Sequence, residues 1–201
     1  MGCPDMKVSH LGKQCILLRV ATLFTVAGLA IVSLLGCQHG EQPQKKGEMV
    51  LTVSSPAFRK GDKIPSKYTC EGEDVSPEFT WSEPPTGTNS FVLVVDDPDA
   101  PGGVFTHWIL FNVPADSLLL PEAVPAQDQL QNGSLQGKND FGRIGYDGPC
   151  PPLGRPHRYQ FTLYALDRSL DLKSGVSKKQ VLDAMCDHIL AQGQVTGTYQ
   201  R

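Results

Sequence analysis

Two loop sequences hold most of the side chains in this chain that could do chemistry. The first begins with Asp97 and Asp99, each beside a proline, and is followed by His107; the second spans residues 148–152 and is followed by His157. Proline fixes φ and glycine lets a ligand approach the backbone closely, so loops of this composition can hold a preformed site. Carboxylates and imidazoles hydrogen-bond to anions, amines and hydroxyl groups. The pattern predicts that the two loops are two walls of one small polar pocket.

The donors for an anionic ligand would come mainly from the two histidines. Three of the five residues in 148–152 are proline, which leaves few backbone N–H groups in that turn. Asp97 could hold a histidine in its donor tautomer, or accept from an amine or hydroxyl group of the ligand. Each residue also has a purely structural interpretation. Aspartates beside prolines often form Asx turns, and a lone histidine is often an ordinary core or surface residue.

Catalytic chemistry is weakly indicated by the sequence. Two histidines and one aspartate could in principle form a 2-His-1-carboxylate metal site or an acid–base pair. The sequence contains no Gly-x-Ser-x-Gly elbow and no His-Glu-x-x-His helix, and no further ligand lies at close spacing. We therefore expect no enzymatic activity, no metal and no cofactor.

The segments that must position the two loops are typical of short β-strands. The apolar run 91–95 predicts a core strand that ends near Asp97. Residues 158–166 alternate, which predicts a strand with one packed face made by Tyr159, Phe161, Leu163 and Ala165. Further strand-like runs cover residues 49–54, 78–81, 90–96, 107–113 and 194–199.

One helix is predicted after Ser177, because apolar residues recur at three- and four-residue spacing from Val181 to Leu190 and Gly193 follows. A shorter helix is predicted at residues 117–120. The residues therefore indicate a mostly β domain with a helix in its C-terminal region.

The N-terminal segment resembles a lipoprotein signal. Basic residues precede an apolar stretch that runs from residue 20 to Gly36, and Cys37 follows directly. We predict a signal peptide at 1–36, lipid modification of Cys37, a flexible polar tether at 37–48 and one folded domain at 49–201. The alternative is an uncleaved membrane anchor. Both interpretations place the domain in the cell envelope. An aspartate after the lipid-modified cysteine would favour the inner membrane. This chain has Gln38 there, which favours an outer-membrane anchor facing the periplasm.

Charge and cysteine content narrow the class of protein. The formal net charge of −3 would become −5 on loss of residues 1–36, which argues against nucleic-acid binding and against electrostatic docking to anionic lipid. In an oxidising compartment Cys70 and Cys150, both in Gly/Pro-flanked loops, could form a disulfide. Closing so long a loop would stabilise the fold by about 4–5 kcal/mol in the chain-entropy model. Two separate free thiols are the alternative.

Several motifs occur in an order that resembles the phosphatidylethanolamine-binding protein family, closest to its bacterial Raf-kinase-inhibitor-like branch. Besides the two loops they are residues 68–72, 76–77, 145–146, 164–166 and 197–201. The resemblance implies a large central antiparallel sheet, a smaller second sheet and peripheral helices. It also implies a pocket formed by Asp97, His107, the wall 148–152 and His157. Cys150 stands where many relatives have glycine.

The sequence and the resemblance together predict a non-enzymatic binding protein for a small anionic or phosphorylated ligand, such as a phospholipid headgroup. The candidate ligand-binding residues are Asp97, Asp99, His107, Gly148, Cys150, Pro151 and His157. The alternative is inhibition of an envelope protease, or with less support a kinase, through the same surface.

Overall fold

The computed structural model describes residues 49–201. The predictions of a signal at 1–36, of lipidation at Cys37 and of a tether at 37–48 lie outside the described residues. Residues 49–201 belong to one compact unit. Within the described range, no helix is long and apolar enough to cross a membrane.

The described residues form two β-sheets and one α-helix. In chain order the elements are β1 (Met49–Val50), β2 (Val53–Ser54), a 3-10 turn (Ser66–Tyr68), β3 (Phe79–Trp81), β4 (Ser90–Asp97), β5 (Phe105–Pro114), β6 (Leu119–Leu120), β7 (Leu135–Gln136), β8 (His157–Leu166), α1 (Lys178–Met185) and β9 (Ile189–Tyr199). The main sheet has the order β1-β9-β8-β4-β5-β7, and the small sheet has the order β2-β3-β6. All pairs are antiparallel except β1 with β9. The predicted mostly β fold with a large and a small sheet is confirmed.

The central strand β4 is buried on both faces, which explains its nearly continuous apolar sequence. Phe91, Leu93 and Val95 belong to the core between the two sheets. Val92 and Val94 point the other way, into a second cluster that includes residues of α1. This alternation is the period of two expected of a strand.

Strand β8 has the alternation that was predicted from its sequence. Tyr159, Phe161, Leu163 and Ala165 are buried. On the other face Arg158 is exposed, and Gln160, Thr162 and Tyr164 are half-buried. The buried face packs into the core between the sheets, while the opposite face is polar.

The predicted extent of the C-terminal helix was wrong. Helix α1 begins after Ser177, whose side chain forms a capping box with Gln180, but it ends at Met185. Ile189 begins strand β9, because the positive φ of 66° at Asp187 turns the chain out of the helix. Gly193 lies inside this strand, where a Cβ atom would come within 2.1 Å of the Leu51 carbonyl oxygen.

Two shorter segments also differ from the prediction. Residues 117–120 form no helix, because Leu119–Leu120 is strand β6 and pairs with β3 of the small sheet. The run 49–54 is divided between the sheets, with β1 beside β9 and β2 beside β3. A short apolar run is compatible with a helix and with a strand, and pairing with a distant strand decides between the two.

Candidate ligand-binding site

One edge of the main sheet collects the three buried site residues. Asp97 is the last residue of β4, His107 lies near the start of β5, and His157 is the first residue of β8. Because β4 pairs antiparallel with both β5 and β8, its C-terminal end meets the N-terminal ends of its two neighbours. The exposed fractions of Asp97, His107 and His157 are 3%, 3% and 4%.

Asp97 and His157 form a hydrogen-bonded pair. Nδ1 of His157 donates to Oδ2 of Asp97 across 2.8 Å, and the other carboxylate oxygen accepts the Asp99 backbone N–H, also across 2.8 Å. The carboxylate therefore orients the imidazole and at the same time forms an Asx turn. The sequence had left these two roles open as alternatives. The Nε2 atom of His157 makes no hydrogen bond to any described residue.

His107 is held by a backbone carbonyl. Its Nδ1 donates to the carbonyl oxygen of Asp147 across 2.7 Å. The rings of Phe105, Phe141 and Tyr159 surround the imidazole with centroid distances of 5.2 to 5.4 Å. Burial lowers the pKa of His107 below 6.5, and the nearby Asp147 carbonyl and Asp97 carboxylate oppose that shift only in part. The neutral imidazole is favoured, and its Nε2 is then a hydrogen-bond acceptor.

Tyr159 contributes a buried hydroxyl group that the sequence analysis did not assign to the site. The side chain is fully buried, and its hydroxyl has no hydrogen-bond partner among the described residues. Burial raises the pKa of this hydroxyl strongly, and the negative charge of Asp97 adds to the effect. The alternation of β8 assigns the ring correctly to the core. No local pattern indicates that its hydroxyl lies near Asp97.

The second loop packs tightly against residues 68–74. The Gly148 N–H donates to Oδ1 of Asp74 across 2.7 Å. A Cβ atom on Gly148 would lie 2.3 Å from the Tyr68 carbonyl oxygen, so only glycine fits there. A disulfide joins Cys150 to Cys70, with their Cα atoms 5.4 Å apart. Pro151 is buried in the same wall.

The carboxylate of Asp99 points to Arg158. Its two oxygens accept from Nε and Nη2 of Arg158, both across 2.8 Å, and one also accepts the Arg158 backbone N–H. These contacts with Arg158 hold the pKa of the Asp99 carboxyl well below its usual range. The loop brings Asp99 beside the site, but the side chain fixes the loop to β8 and does not turn toward the histidines.

A network behind His107 was not indicated by any sequence pattern. The Asn139 side chain donates to the carbonyl oxygen of His107 across 3.3 Å and to the Asp147 carboxylate across 2.5 Å. Arg143 also pairs with this carboxylate. The network fixes the segment that carries the Asp147 carbonyl, and through it the tautomer of His107.

The described residues of the site form no metal-type cluster. Among residues 49–201, no group of three or more histidine, cysteine, aspartate or glutamate side chains could hold a metal ion. Cavities of about 310 and 440 Å³ open elsewhere on the surface, and none of the predicted site residues lines either one.

Comparison with known proteins gives a consistent result. The family model described as phosphatidylethanolamine-binding protein matches residues 54–200. A UPF0098 protein of Methanothermobacter thermautotrophicus is 50% identical over 151 residues, which are 75% of this chain and 99% of that protein. A UPF0098 protein of Aquifex aeolicus is 47% identical and covers 77% of this chain, and 91% of that protein is matched.

Two solved structures share the fold. The structure of Escherichia coli YbcL, described as a new member of the mammalian PEBP family, has a TM-score of 0.71 and 36% identity, covering 76% of this chain and 99% of that one. A PEBP homologue of Chlamydia trachomatis, CT736, has a TM-score of 0.69 and 40% identity, covering 76% and 98%.

Proposed function

The chain belongs to the phosphatidylethanolamine-binding protein family, and on that premise we propose that it is a non-enzymatic binding protein for a small phosphorylated ligand. The ligand contacts Asp97, His107 and His157 at one edge of the main sheet, and Tyr159 lies beneath them. Gly148, Cys150 and Pro151 form the opposite wall.

The observation that carries this proposal is a buried hydroxyl group without a hydrogen-bond partner, next to two buried histidines. The Tyr159 hydroxyl has no such partner among the described residues. Each histidine uses its Nδ1 atom within the protein, which leaves Nε2 for a ligand. An unsatisfied buried polar group costs about 1–3 kcal/mol. Such atoms in a folded site are expected to find their partners in a ligand.

The hydrogen-bonding capacity of these atoms matches a phosphate group. The Tyr159 hydroxyl can donate to a phosphate oxygen. The contact between Nδ1 of His157 and the Asp97 carboxylate fixes the imidazole, so that its Nε2 is available to the same ligand. Neutral His107 offers an acceptor, which suits a P–OH group or the amine of phosphoethanolamine. Both ligands supply acceptors and a donor within one small group.

A calorimetric titration of the purified protein tests the proposal. The ligands are inorganic phosphate, phosphoethanolamine and glycerophosphoethanolamine, and the variants are His107→Ala and His157→Ala. We expect each variant to bind at least about tenfold more weakly, because hydrogen bonds to charged groups contribute about 1.5–3 kcal/mol.

His188→Ala is the matched control. His188 also pairs with an aspartate, Asp167, across 2.9 Å, but this pair is solvent-accessible and lies at the other end of β8. The control should bind like the wild type. Equal affinity in all four proteins would refute the assignment of the site. An absence of binding by the wild type would refute the ligand class and favour a protein partner.

A further inference from the structure

The Cys70–Cys150 disulfide joins the wall of the proposed site to an exposed loop. Cys150 lies between Pro149 and Pro151 in the wall and is half-buried, whereas Cys70 is exposed at the surface. The backbone N–H of Cys70 donates to the Pro149 carbonyl oxygen across 3.2 Å. A reagent in solution therefore reaches the bond from the Cys70 side, while the other sulfur belongs to the ligand-binding wall.

Few other contacts hold the wall against that loop. The Tyr146 hydroxyl donates to the Tyr68 carbonyl oxygen across 2.7 Å, and the Gly148 N–H donates to Asp74. These hydrogen bonds keep the two segments close without the disulfide. They do not hold the Cys150 side chain. Breaking the S–S bond leaves the contacts from Arg201 to Cys150 and Pro151, so the part of the wall between the prolines loosens.

The two sulfurs differ in their electrostatic surroundings. Nη1 of Arg201 donates to Sγ of Cys150 across 3.8 Å and to the Pro151 carbonyl oxygen across 3.5 Å. A positive charge beside a cysteine favours its thiolate, and a stabilised thiolate is the better leaving group in disulfide exchange. Glu71 lies next to Cys70 and 3.6 Å from Arg201, so it opposes this effect without removing the contact between Arg201 and Cys150.

We propose that this disulfide is a redox switch for the ligand site: a dithiol attacks Cys70, Cys150 leaves as a thiolate beside Arg201, and the loosened wall binds the ligand more weakly. The effect on affinity rests on the proposed function, whereas the direction of attack and the loosening do not.

The reaction balances with an external dithiol as the reductant. One thiolate of the dithiol attacks Sγ of Cys70, a mixed disulfide forms, and the electron pair of the broken S–S bond goes to Cys150. The second thiol of the reductant then attacks the reductant's other sulfur atom, which is bonded to Cys70 in the mixed disulfide. This closes the reductant's disulfide and releases Cys70. Two electrons pass from the dithiol to the protein, the reductant leaves as a disulfide, and its two protons end on the cysteines or in solvent.

The direction of attack is tested by trapping. The purified chain is treated briefly with glutathione, a monothiol that stops at the mixed disulfide, then alkylated with iodoacetamide and mapped by peptide mass spectrometry. We expect glutathione on Cys70 and the alkyl group on Cys150. The reverse pattern, or an equal mixture, would overturn the proposed direction.

The role of Arg201 is tested by kinetics. Arg201→Gln should slow reduction by dithiothreitol, since a leaving thiol with a less stabilised thiolate departs more slowly. Arg168→Gln is the matched control, because Arg168 lies near His188 and away from the disulfide. Equal rates in wild type, Arg201→Gln and Arg168→Gln would contradict the assigned leaving group.

The consequence for the site is tested with and without ligand. Reduction should speed hydrogen exchange at the Cys150 and Cys70 amides and leave the β8 amides unchanged. It should also weaken phosphate binding by about tenfold, a change of about 1.4 kcal/mol. The double variant Cys70→Ser/Cys150→Ser should behave like the reduced protein in both measurements, hydrogen exchange and phosphate binding. Unchanged exchange on reduction would overturn the switch. Faster exchange without phosphate binding in the oxidised protein would refute the proposed ligand instead.

Discussion

The hydrogen bonds that the histidine and tyrosine side chains of this site already make determine which of their atoms remain for a ligand. Both histidines use Nδ1 internally, His107 on a carbonyl oxygen and His157 on the Asp97 carboxylate. For each histidine, Nε2 is therefore the ring nitrogen that remains for a further hydrogen bond. The hydroxyl group of Tyr159 has no partner among residues 49–201, whereas that of Tyr146 donates to the Tyr68 carbonyl oxygen.

Replacing Tyr159 with phenylalanine should weaken ligand binding without weakening the fold. The change removes a hydroxyl that has no partner within the described chain, so the free energy of unfolding should stay equal or rise by up to about 1–3 kcal/mol. Phosphate affinity should fall by roughly tenfold, the loss of one hydrogen bond to a charged group. Chemical denaturation and calorimetry measure the two quantities.

Tyr146→Phe is the contrasting variant, since it removes a donor that the Tyr68 carbonyl oxygen uses. It should lower the free energy of unfolding by about 1 kcal/mol. If Tyr159→Phe destabilised the protein as much as Tyr146→Phe does, the Tyr159 hydroxyl would have an internal partner and the argument for a ligand would fail.

Stability should depend on pH through His107. Its pKa in the folded protein lies below the value of 6.5 expected when unfolded, because burial disfavours the charged imidazole. The unfolded chain therefore binds more protons, and stability rises with pH in that range. The contribution is fully present above about pH 6.5 and is lost as the pH falls toward the lowered pKa. Urea denaturation at pH 7.5 and pH 5.5 should show this loss in the wild type.

His107→Gln serves as the reference for that measurement, because glutamine does not titrate. Its loss of stability between the two pH values should be smaller than that of the wild type. The same pH dependence in both proteins would show that other groups cause it.

Among the structural elements, the wall 148–152 owes its position to close backbone packing. Gly148 has no room for a side chain, because the Tyr68 carbonyl oxygen and the Thr69 Cα atom lie 2.3 and 2.9 Å from its ideal Cβ position. The wall rests directly on the neighbouring loop, and the disulfide joins the two at a second point.

Gly148→Ala should therefore destabilise the protein. Overpacking of this kind typically costs about 1–3 kcal/mol, and the neighbouring atoms are backbone atoms that cannot rotate away. Gly102→Ala, in the first loop, is the matched control because no atom of the described residues lies within 4 Å of its ideal Cβ position. Thermal and chemical denaturation should show a loss for the first variant alone. Equal stability of both would mean that the wall shifts freely.

At the scale of the whole molecule, the described domain is one compact unit whose site lies at one edge of the main sheet. The strands on either side of the site pair over most of their length, so the site is built on a rigid frame. The proposed tether through Cys37 belongs to this scale as well, and it rests on the N-terminal sequence alone.

Cys37→Ser should abolish membrane attachment through lipid. A lipoprotein signal requires the cysteine, so the variant should be unprocessed or released, with a larger or unlipidated mass and altered membrane fractionation. The matched control is Cys15→Ser, within the predicted signal, which should be processed like the wild type. Unchanged mass and fractionation of Cys37→Ser would favour an uncleaved anchor.

Local sequence patterns determined the class of fold and the faces of the long strands. The apolar run of β4 and the alternation of β8 report burial directly, because side-chain direction in a strand has a period of two. The end of helix α1 could not be predicted from such patterns. Ile189 and Leu190 fit a helical stripe and a strand equally well, and only pairing with β8 places Ile189 opposite Leu166.

The sequence by itself determined that two rigid loops, each followed by a histidine, border one sheet of a mostly β domain. Tertiary structure alone decided which atoms meet. Asp97 and His157 are 60 positions apart, and the disulfide joins cysteines 80 positions apart. The pairing of Asp99 with Arg158 also depends on contacts between distant segments, as does the position of the Tyr159 hydroxyl, which has no partner in the described part of the chain. Hydrogen-bond geometry of this kind is set by the packing of whole elements, which residue types and spacing do not specify.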